Sequence, residues 1–316
     1  MIAASNPADP AWLELYADAA RAREHVRAVH AQLSLVNVAA LRRAIADLSG
    51  TWGTQYPKGA AYAAELDALV AACPALSTEP LPGDLPLDIA ERLLVLRRDA
   101  LLANPLLDFD TILVIKRADD SPSLGLPANW QGNCSLPRDG FRDELDRLNY
   151  RDENAPLETV YTPETPRQIA DLELHWDAHR ALCSMIGTNN RWQIWELSGI
   201  GGAIQARQVT PGAEPDVDNY DACYLPDGRI IYDSNATYTG VPCVSGSDYV
   251  ANLCIINSDG TGVRELCFEQ DHDWCPAVLN NGRILYERWE YSDLPHSNTR
   301  FMFHMNPDGT TQMEYY

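Results

Sequence analysis

Two short segments of the chain concentrate side chains that can bind ligands or metals. Residues 216–221 read DVDNYD, and residues 271–275 read DHDWC. Carboxylates, imidazoles and thiols are common ligands of zinc and other divalent metals, and aromatic rings often line ligand pockets. Both segments are therefore candidates for a binding site.

The candidate residues form two overlapping sets. The first set is predicted to line a ligand-binding face and contains Asp218, Tyr220, Asp221, Asp273, Trp274 and Trp289. The second set is predicted to hold zinc or another divalent metal and contains Asp218, Cys243, His272 and His296. No closely spaced ligand motif supports the metal set, so the alternative is that these side chains cap loops through backbone hydrogen bonds. No catalytic residue is indicated.

An internal repeat explains how these segments could come together. The segment YLPDGRIIY at 224–232 recurs as VLNNGRILY at 278–286, and an earlier, weaker copy begins at HWDAHRALCSM. Each copy, of about 50 residues, contains four short strand patterns separated by turn signals such as Asp-Gly, which is typical of a β-propeller blade. The predicted blades span residues 169–210, 217–268 and 271–316.

Blade geometry places the two segments on one face of the propeller. Successive strands of a blade run in opposite directions, so the loops before the first strand and between the second and third strands share a face. Residues 216–221 and 271–275 precede first strands, and residues 237–243 and 289–298 follow second strands. The Asp-Gly turns are expected on the opposite face, where turn conformation explains them.

The remaining sequence predicts a different architecture before the repeats. Apolar residues at helical spacing predict about four helices in residues 1–103. Residues 104–168 are interpreted as a transition segment with strands in FDTILVIKR and at 158–161, a helix at 142–148, and part of a further blade. The predicted fold class is α+β: an N-terminal helical region, then part of a β-propeller with about three four-stranded blades plus a partial one.

Three blades are too few for a ring, because propellers typically have four to eight blades. We therefore expect the remaining blades, or another chain, to close the ring, and the sequence to be a fragment of a larger protein. The oligomeric state and the full number of blades stay open.

Composition narrows the classes of partner. The formal net charge of -21 disfavours binding to nucleic acid or to anionic membrane surfaces. No apolar stretch is long enough for a membrane span, and no signal peptide is recognisable at the start. The 8 cysteines form no C-x-x-C pair and no C-x-x-C-H haem-attachment motif. Motifs for nucleotide binding or a serine nucleophile elbow do not occur either.

Several long loop motifs resemble a known family. NPLLDFDTILVIKR, GLPANWQGNCSL, DVDNYDACYLPDGRIIYDSNATYTGVPCV and the segment from DHDWC to the last residue resemble the middle region of hydrazine synthase alpha-subunit-like proteins, over about residues 90–316. The resemblance implies a WD40-like, TolB-type propeller and a periplasmic or secreted bacterial setting. The enzyme of that family uses haem groups attached through C-x-x-C-H, which this sequence lacks, so its activity is not implied.

Two functional hypotheses follow. The first is a β-propeller binding or scaffold module of a larger extracytoplasmic protein, without haem sites of its own, which binds a small molecule, a glycan or a protein on the loop face. The alternative is a fragment of a metal- or haem-dependent oxidoreductase related to hydrazine synthase. The sequence leaves open whether the protein is an enzyme and which ligand it binds.

Overall fold

A computed structural model describes residues 10–122, 136–152, 154–241, 249–290 and 299–315. Contacts between Cα atoms divide the chain into two compact units, Met1–Asp110 and Thr111–Tyr316. The first unit is helical in its described part, and the second is built from β-sheets.

The helical unit contains the four helices that the apolar spacing predicts: α1 Pro10–Leu33, α2 Val38–Trp52, α3 Gly59–Ala72 and α4 Leu87–Leu102. Two short 3-10 helices, Gly53–Gln55 and Pro74–Ser77, lie between them. Leucine and isoleucine side chains of α2, α3 and α4 form one buried core. Among the described residues, no helix is long and apolar enough to cross a membrane.

The described residues of the second unit form four antiparallel sheets whose strands are hydrogen-bonded in chain order. The partial blade comprises β1 Thr111–Lys116, β2 Glu144–Asn149 and β3 Glu158–Tyr161. Blade 1 comprises β4 Ala170–Leu174, β5 Arg180–Ile186, β6 Trp192–Ser198 and β7 Gln205–Gln208. Blade 2 comprises β8 Asn219–Tyr224, β9 Ile230–Ser234, β10 Asn252–Ile256 and β11 Arg264–Glu265. Blade 3 comprises β12 Asp273–Val278, β13 Ile284–Trp289, β14 Arg300–Met305 and β15 Met313–Glu314.

The blades pack face to face through apolar side chains. Leu182 and Ile194 of blade 1 share a core with Tyr224 of blade 2, while Leu253 of blade 2 packs with Tyr286 of blade 3 in another. Strand β8 contacts both β4 and β12, so the first strands of successive blades are neighbours. This arrangement confirms the predicted fold class, a helical region followed by part of a β-propeller.

The Asp-Gly turns also hold the blades close together. Gly260 and Gly309 have φ angles of 87° and 86°, in the left-handed region that favours glycine. A Cβ atom at Gly260 would lie 2.7 Å from the carbonyl oxygen of Val209 in the preceding blade, and one at Gly309 would lie 2.8 Å from that of Leu266. These turns therefore require glycine for their conformation and for the close approach of the next backbone.

The predicted helix at residues 142–148 is wrong, because the segment forms strand β2. Its buried residues, Leu145 and Asp146, are adjacent, so strand pairing and not a burial period identifies the segment as a strand. Strand β2 pairs with β1 on one side and with β3 on the other. The partial blade thus has three strands in its described part, where the sequence suggested only the outer two.

Candidate functional site

Two of the predicted metal ligands make the same hydrogen bond between blades. Oδ1 of Asp218 accepts from the backbone N–H of Trp192 at 2.9 Å, and Nδ1 of His272 accepts from the backbone N–H of Ala251 at 2.8 Å. In both cases the donor lies at or next to the start of the third strand of the preceding blade. Asp218 and His272 therefore connect successive blades through these bonds.

Asp218 also lies beside two guanidinium groups. Its Oδ2 is 3.5 Å from Arg191 Nη1 and 3.7 Å from Arg138 Nη2. The side chain is almost fully buried, and this burial raises the pKa of the carboxyl group against the opposing effect of its Trp192 hydrogen bond and the two arginines. The surroundings of Asp218 are those of a structural carboxylate that organises buried donors.

The predicted aromatic ligand contacts lie together in a buried cluster. The rings of His272 and Trp274 stack with centroids 4.2 Å apart, and Trp289 lies 5.6 Å from His272. The guanidinium of Arg300 lies 5.2 Å from the ring centroids of both tryptophans. Tyr220 belongs to the same apolar cluster and is also buried. The cluster fills the space between blades with its own side chains.

Asp273 forms a buried ion pair. Its Oδ1 accepts from Arg288 Nε at 2.8 Å, and its Oδ2 accepts from Arg288 Nη2 at 3.3 Å. Burial raises the pKa of Asp273 to about 6 even though Arg288 acts in the opposite direction. Asp273 is inaccessible to solvent. Its ion pair with Arg288 connects the neighbouring strands β12 and β13.

A different group of residues comes together at bulges in the first strands of the three full blades. Asp171, Asp221 and Cys275 have φ angles of 50°, 47° and 55°. Each lies directly after a residue that pairs with the second strand of its blade. At this point two residues of the first strand lie opposite one residue of the second strand, so the register shifts. Three non-glycine residues thus occupy the same left-handed position in successive repeats, a conformation that costs about 1 kcal/mol or more.

The side chains at these bulges interact electrostatically. The Cys275 thiol is hydrogen-bonded to the Asp221 carboxylate, and the charge of Asp171 is close enough to raise the pKa of Asp221. Asp233 of β9 is fully buried beside them. We call Asp171, Asp221, Asp233 and Cys275 the inner acidic site. Asp171 and Asp221 are partly exposed and Cys275 is exposed.

Electrostatics at the inner acidic site are strongly perturbed. Burial, followed by the charge of Asp171, raises the pKa of Asp221 to about 7, with Glu173 of β4 adding to the shift. Burial and the charge of Asp221 raise the pKa of Asp233 well above its ordinary value. Cys275 is exposed as a residue, but the protein around its thiol and the charges of Asp221 and Asp233 raise the pKa of the thiol, which therefore stays protonated at neutral pH. Perturbed carboxyl groups of this kind concentrate at functional sites.

The bulges are held in place by hydrogen bonds from their backbone to the preceding blade. The backbone N–H of Asp221 donates to Oγ of Ser184 at 2.9 Å. One blade later the backbone N–H of Cys275 points toward the Asp233 carboxylate and lowers its pKa. Ser184 and Asp233 occupy equivalent positions on the second strands, opposite Ala170 and Tyr220. Each repeat therefore provides a bulge on its first strand and, on its second strand, a polar residue that faces the bulge of the next blade.

The metal prediction stays a prediction. Cys243 and His296 lie outside the described residues, and Asp218 and His272 have the structural surroundings given above. Within the described ranges, no group of three or more His, Cys, Asp or Glu side chains is arranged to hold a metal ion.

Asp221 belongs to the predicted ligand-binding face, whereas Asp171 and Asp233 are not among the predicted site residues. The signal was present, because Asp171, Asp221 and Cys275 occupy equivalent positions when the three copies of the repeat are superimposed. The weak first copy was assigned no site residues, and Asp233 lies within a strand that reads as apolar core. Neither the bulge nor the approach of a buried carboxylate is visible in residue types alone.

Comparisons with known proteins support the fold. No protein family profile matches the chain, and no curated protein matches it. Among solved structures, hydrazine synthase of Kuenenia stuttgartiensis is similar with a TM-score of 0.50 and 16% identity, over 66% of this chain and 32% of that one. A putative TolB from Agrobacterium tumefaciens gives a TM-score of 0.43 and 15% identity, over 55% and 57%.

The propeller domain of the Trilobed protease from Pyrococcus furiosus gives a TM-score of 0.36 and 13% identity, over 55% of this chain and 48% of that one. This chain therefore spans between about a third and three fifths of these three structures. At such low identity the similarity concerns the propeller fold alone.

Proposed function

We propose that this chain is a ligand-binding β-propeller module of a larger extracytoplasmic protein, and that its ligand binds at the inner acidic site. The observation that carries the proposal is the convergence of Asp171, Asp221 and Cys275 from equivalent bulges of three first strands. The extracytoplasmic setting is supported by the resemblance of the loop motifs alone.

The inner acidic site has the properties of a binding site that the aromatic cluster lacks. Its bulge residues are accessible to solvent, whereas Tyr220, Trp274 and Trp289 are buried against one another. Strained backbone persists where the surrounding fold enforces it, and it clusters at ligand-binding and catalytic sites. In a propeller the first strands surround the central channel, so the bulges lie where ligands commonly reach the fold.

The proposal is tested by screening the full chain for stabilising ligands. Thermal unfolding is measured with a library that contains separate sets of amines, sugars, organic acids, nucleotides and metal salts. We expect at least one compound to raise the unfolding temperature of the wild-type protein but not that of Asp221→Asn. The matched control is Glu65→Gln, which removes one exposed carboxylate from helix α3. If no stabilising compound depends on Asp221, the proposed site is wrong.

A further inference from the structure

We propose that a cleft between the partial blade and blade 1 binds a free α-amino acid with an apolar side chain, whose carboxylate pairs with Arg167 and whose ammonium group pairs with Glu164. The cleft lies at the outer strands β3, β6 and β7, whereas the inner acidic site lies at the first strands. This inference therefore goes beyond the proposed function and does not rest on it.

The first observation is the cleft itself. It has a volume of about 590 Å³ and is lined by residues 160–164, Arg167, Trp195 and residues 204–206. These residues belong to β3 and the loop after it, to β6, and to β7 with the residue before it. Small-molecule sites are typically concave, with volumes of roughly 300–1,000 Å³. The cleft therefore has room for a molecule the size of an amino acid.

The second observation is a fixed cation without a carboxylate partner. Nε of Arg167 donates to the carbonyl oxygen of Thr165 at 3.0 Å, and Nη1 donates to that of Ile186 at 2.6 Å. The guanidinium also lies 5.5 Å from the ring centroid of Trp195. Among the described residues, no carboxylate forms an ion pair with Arg167 and no group accepts from its Nη2. A guanidinium held in this way binds carboxylates well, because its planar N–H donors need little further ordering.

The third observation is an opposite charge in the same cleft. Glu164 is exposed, and it forms no ion pair with a described residue. Burial raises the pKa of Tyr161, and the charge of Arg167 opposes this rise whereas that of Glu164 adds to it, so both charges lie near the Tyr161 hydroxyl. A simple carboxylate in the cleft would be repelled by Glu164, and a simple amine would be repelled by Arg167. A zwitterion offers a partner to both charges.

The fourth observation is an apolar wall. Val160, Tyr161, Trp195 and Ile204 line the cleft and pack against the core that the partial blade and blade 1 share. Nε1 of Trp195 is buried and has no hydrogen-bond acceptor among the described residues, so the wall also keeps an unmet donor. Aromatic and branched side chains of a ligand bury apolar area against such a surface. The cleft therefore favours amino acids such as phenylalanine and leucine.

The experiment is isothermal titration calorimetry of the full chain with L-phenylalanine. Two comparison compounds each carry one of its charges: 3-phenylpropanoate lacks the ammonium group, and 2-phenylethylammonium lacks the carboxylate. We expect phenylalanine to bind roughly tenfold or more tightly than either compound, because it alone forms both charge-assisted contacts.

The deciding variant is Glu164→Gln, which removes an exposed carboxylate and should leave the fold intact. It should weaken phenylalanine binding by roughly tenfold without weakening that of 3-phenylpropanoate. The matched control is Glu65→Gln in helix α3, which should change neither. Arg167→Gln should weaken the binding of both compounds. Because Arg167 also donates to two backbone carbonyls, Glu164→Gln alone decides the test if that variant does not fold.

The outcomes separate this inference from the proposed function. It is wrong if neither phenylalanine nor leucine binds, if either single-charge compound binds as tightly as phenylalanine, or if Glu164→Gln binds phenylalanine as the wild type does. Phenylalanine binding that is lost in Asp221→Asn would place the amino acid at the inner acidic site, so this inference would fail and the proposed function would stand. If phenylalanine binds as expected but no compound depends on Asp221, the proposed function fails and this inference stands.

Discussion

The residues that lead into β8 and β12 and the bulge residues within these strands are close in the chain, but their polar side chains have opposite surroundings. In the residues that lead into β8 and β12, Asp218 and His272 accept backbone N–H groups from the preceding blade. Three residues further along, Asp221 and Cys275 sit in bulges beside the buried carboxylate of Asp233, whose pKa is raised by burial and by the charge of Asp221. Residue types that suggest chemistry therefore stabilise the contact between blades in one region and bring like charges together in the other.

This comparison shows that the hydrogen bonds and charges around a polar side chain indicate its role better than its residue type does. Asp218 and Asp221 are both largely surrounded by protein, and both have raised pKa values. Asp218 is opposed by two arginines and a backbone N–H, whereas the neighbours of Asp221 include Asp171, Glu173 and Asp233. We therefore expect substitutions in the first region to destabilise the fold and substitutions in the second to stabilise it.

The largest effect is expected in the aromatic cluster. Trp289→Ala should lower the free energy of unfolding by about 3–5 kcal/mol, because a side chain that is 1% exposed leaves a cavity against His272 and Trp274. Urea unfolding followed by circular dichroism measures the change. The matched control is Trp176→Ala, whose ring is 61% exposed and whose loss should change stability by less than about 0.5 kcal/mol. Equal effects of the two substitutions would mean that the cluster does not stabilise the blades.

A smaller loss is expected from the hydrogen bonds that connect blades. Asp218→Ala should lower the free energy of unfolding by about 1–3 kcal/mol, because the N–H of Trp192 loses its acceptor and Arg138 and Arg191 lose a nearby charge. The comparison variant is Glu214→Ala, which removes an exposed carboxylate from the same loop. A ligand role without a structural role would give the two variants the same stability, as urea unfolding would show.

The smallest effect has the opposite sign. The pKa of Asp221 is about 7 in the folded chain and has an ordinary value of 3.8. Below about pH 4 Asp221 is protonated in both states, and as the pH rises toward 7 the unfolded state ionises more readily. Asp221 therefore removes stability as the pH rises through this window.

Asp221→Asn should consequently raise the free energy of unfolding at about pH 8 by roughly 1–2 kcal/mol and flatten the pH dependence between about 4 and 7. Urea unfolding at a series of pH values measures both quantities, with Glu65→Gln as the control for loss of one negative charge. A variant that is less stable than the wild type at pH 8 would show that Asp221 is part of the structural framework.

The repeat made most of the fold predictable, and local geometry limited the prediction of the site. The offsets between YLPDGRIIY and VLNNGRILY located the strands of blades 2 and 3, because Asp-Gly turns and strand periodicity depend mainly on local sequence. Strand β2 was mistaken for a helix because most of its residues are polar and its burial does not alternate: the adjacent Leu145 and Asp146 are both buried. Tertiary pairing with β1 and β3 decided between the two structures.

The site was predictable in part. The loop argument placed Asp221 on one propeller face, with the same weight as Asp218, Trp274 and Trp289, and this assignment stays a prediction. Which of these side chains would find partners depends on distances across blades, such as the 2.9 Å between Asp218 and the N–H of Trp192. Asp233 could not be singled out, because its burial is fixed by the packing of blade 2 against blade 3.

The bulges have a consequence for how this surface can vary. Asp171, Asp221 and Cys275 share one backbone conformation although their side chains differ. Because the register shift between the first two strands fixes the backbone there, the side chain at this position can change while the strand pairing of the blade stays the same. The three bulges are thus equivalent backbone positions that accept different side chains. If ligand binds there as proposed, exchanging Cys275 for aspartate or asparagine should change which ligand is preferred while the fold stays the same.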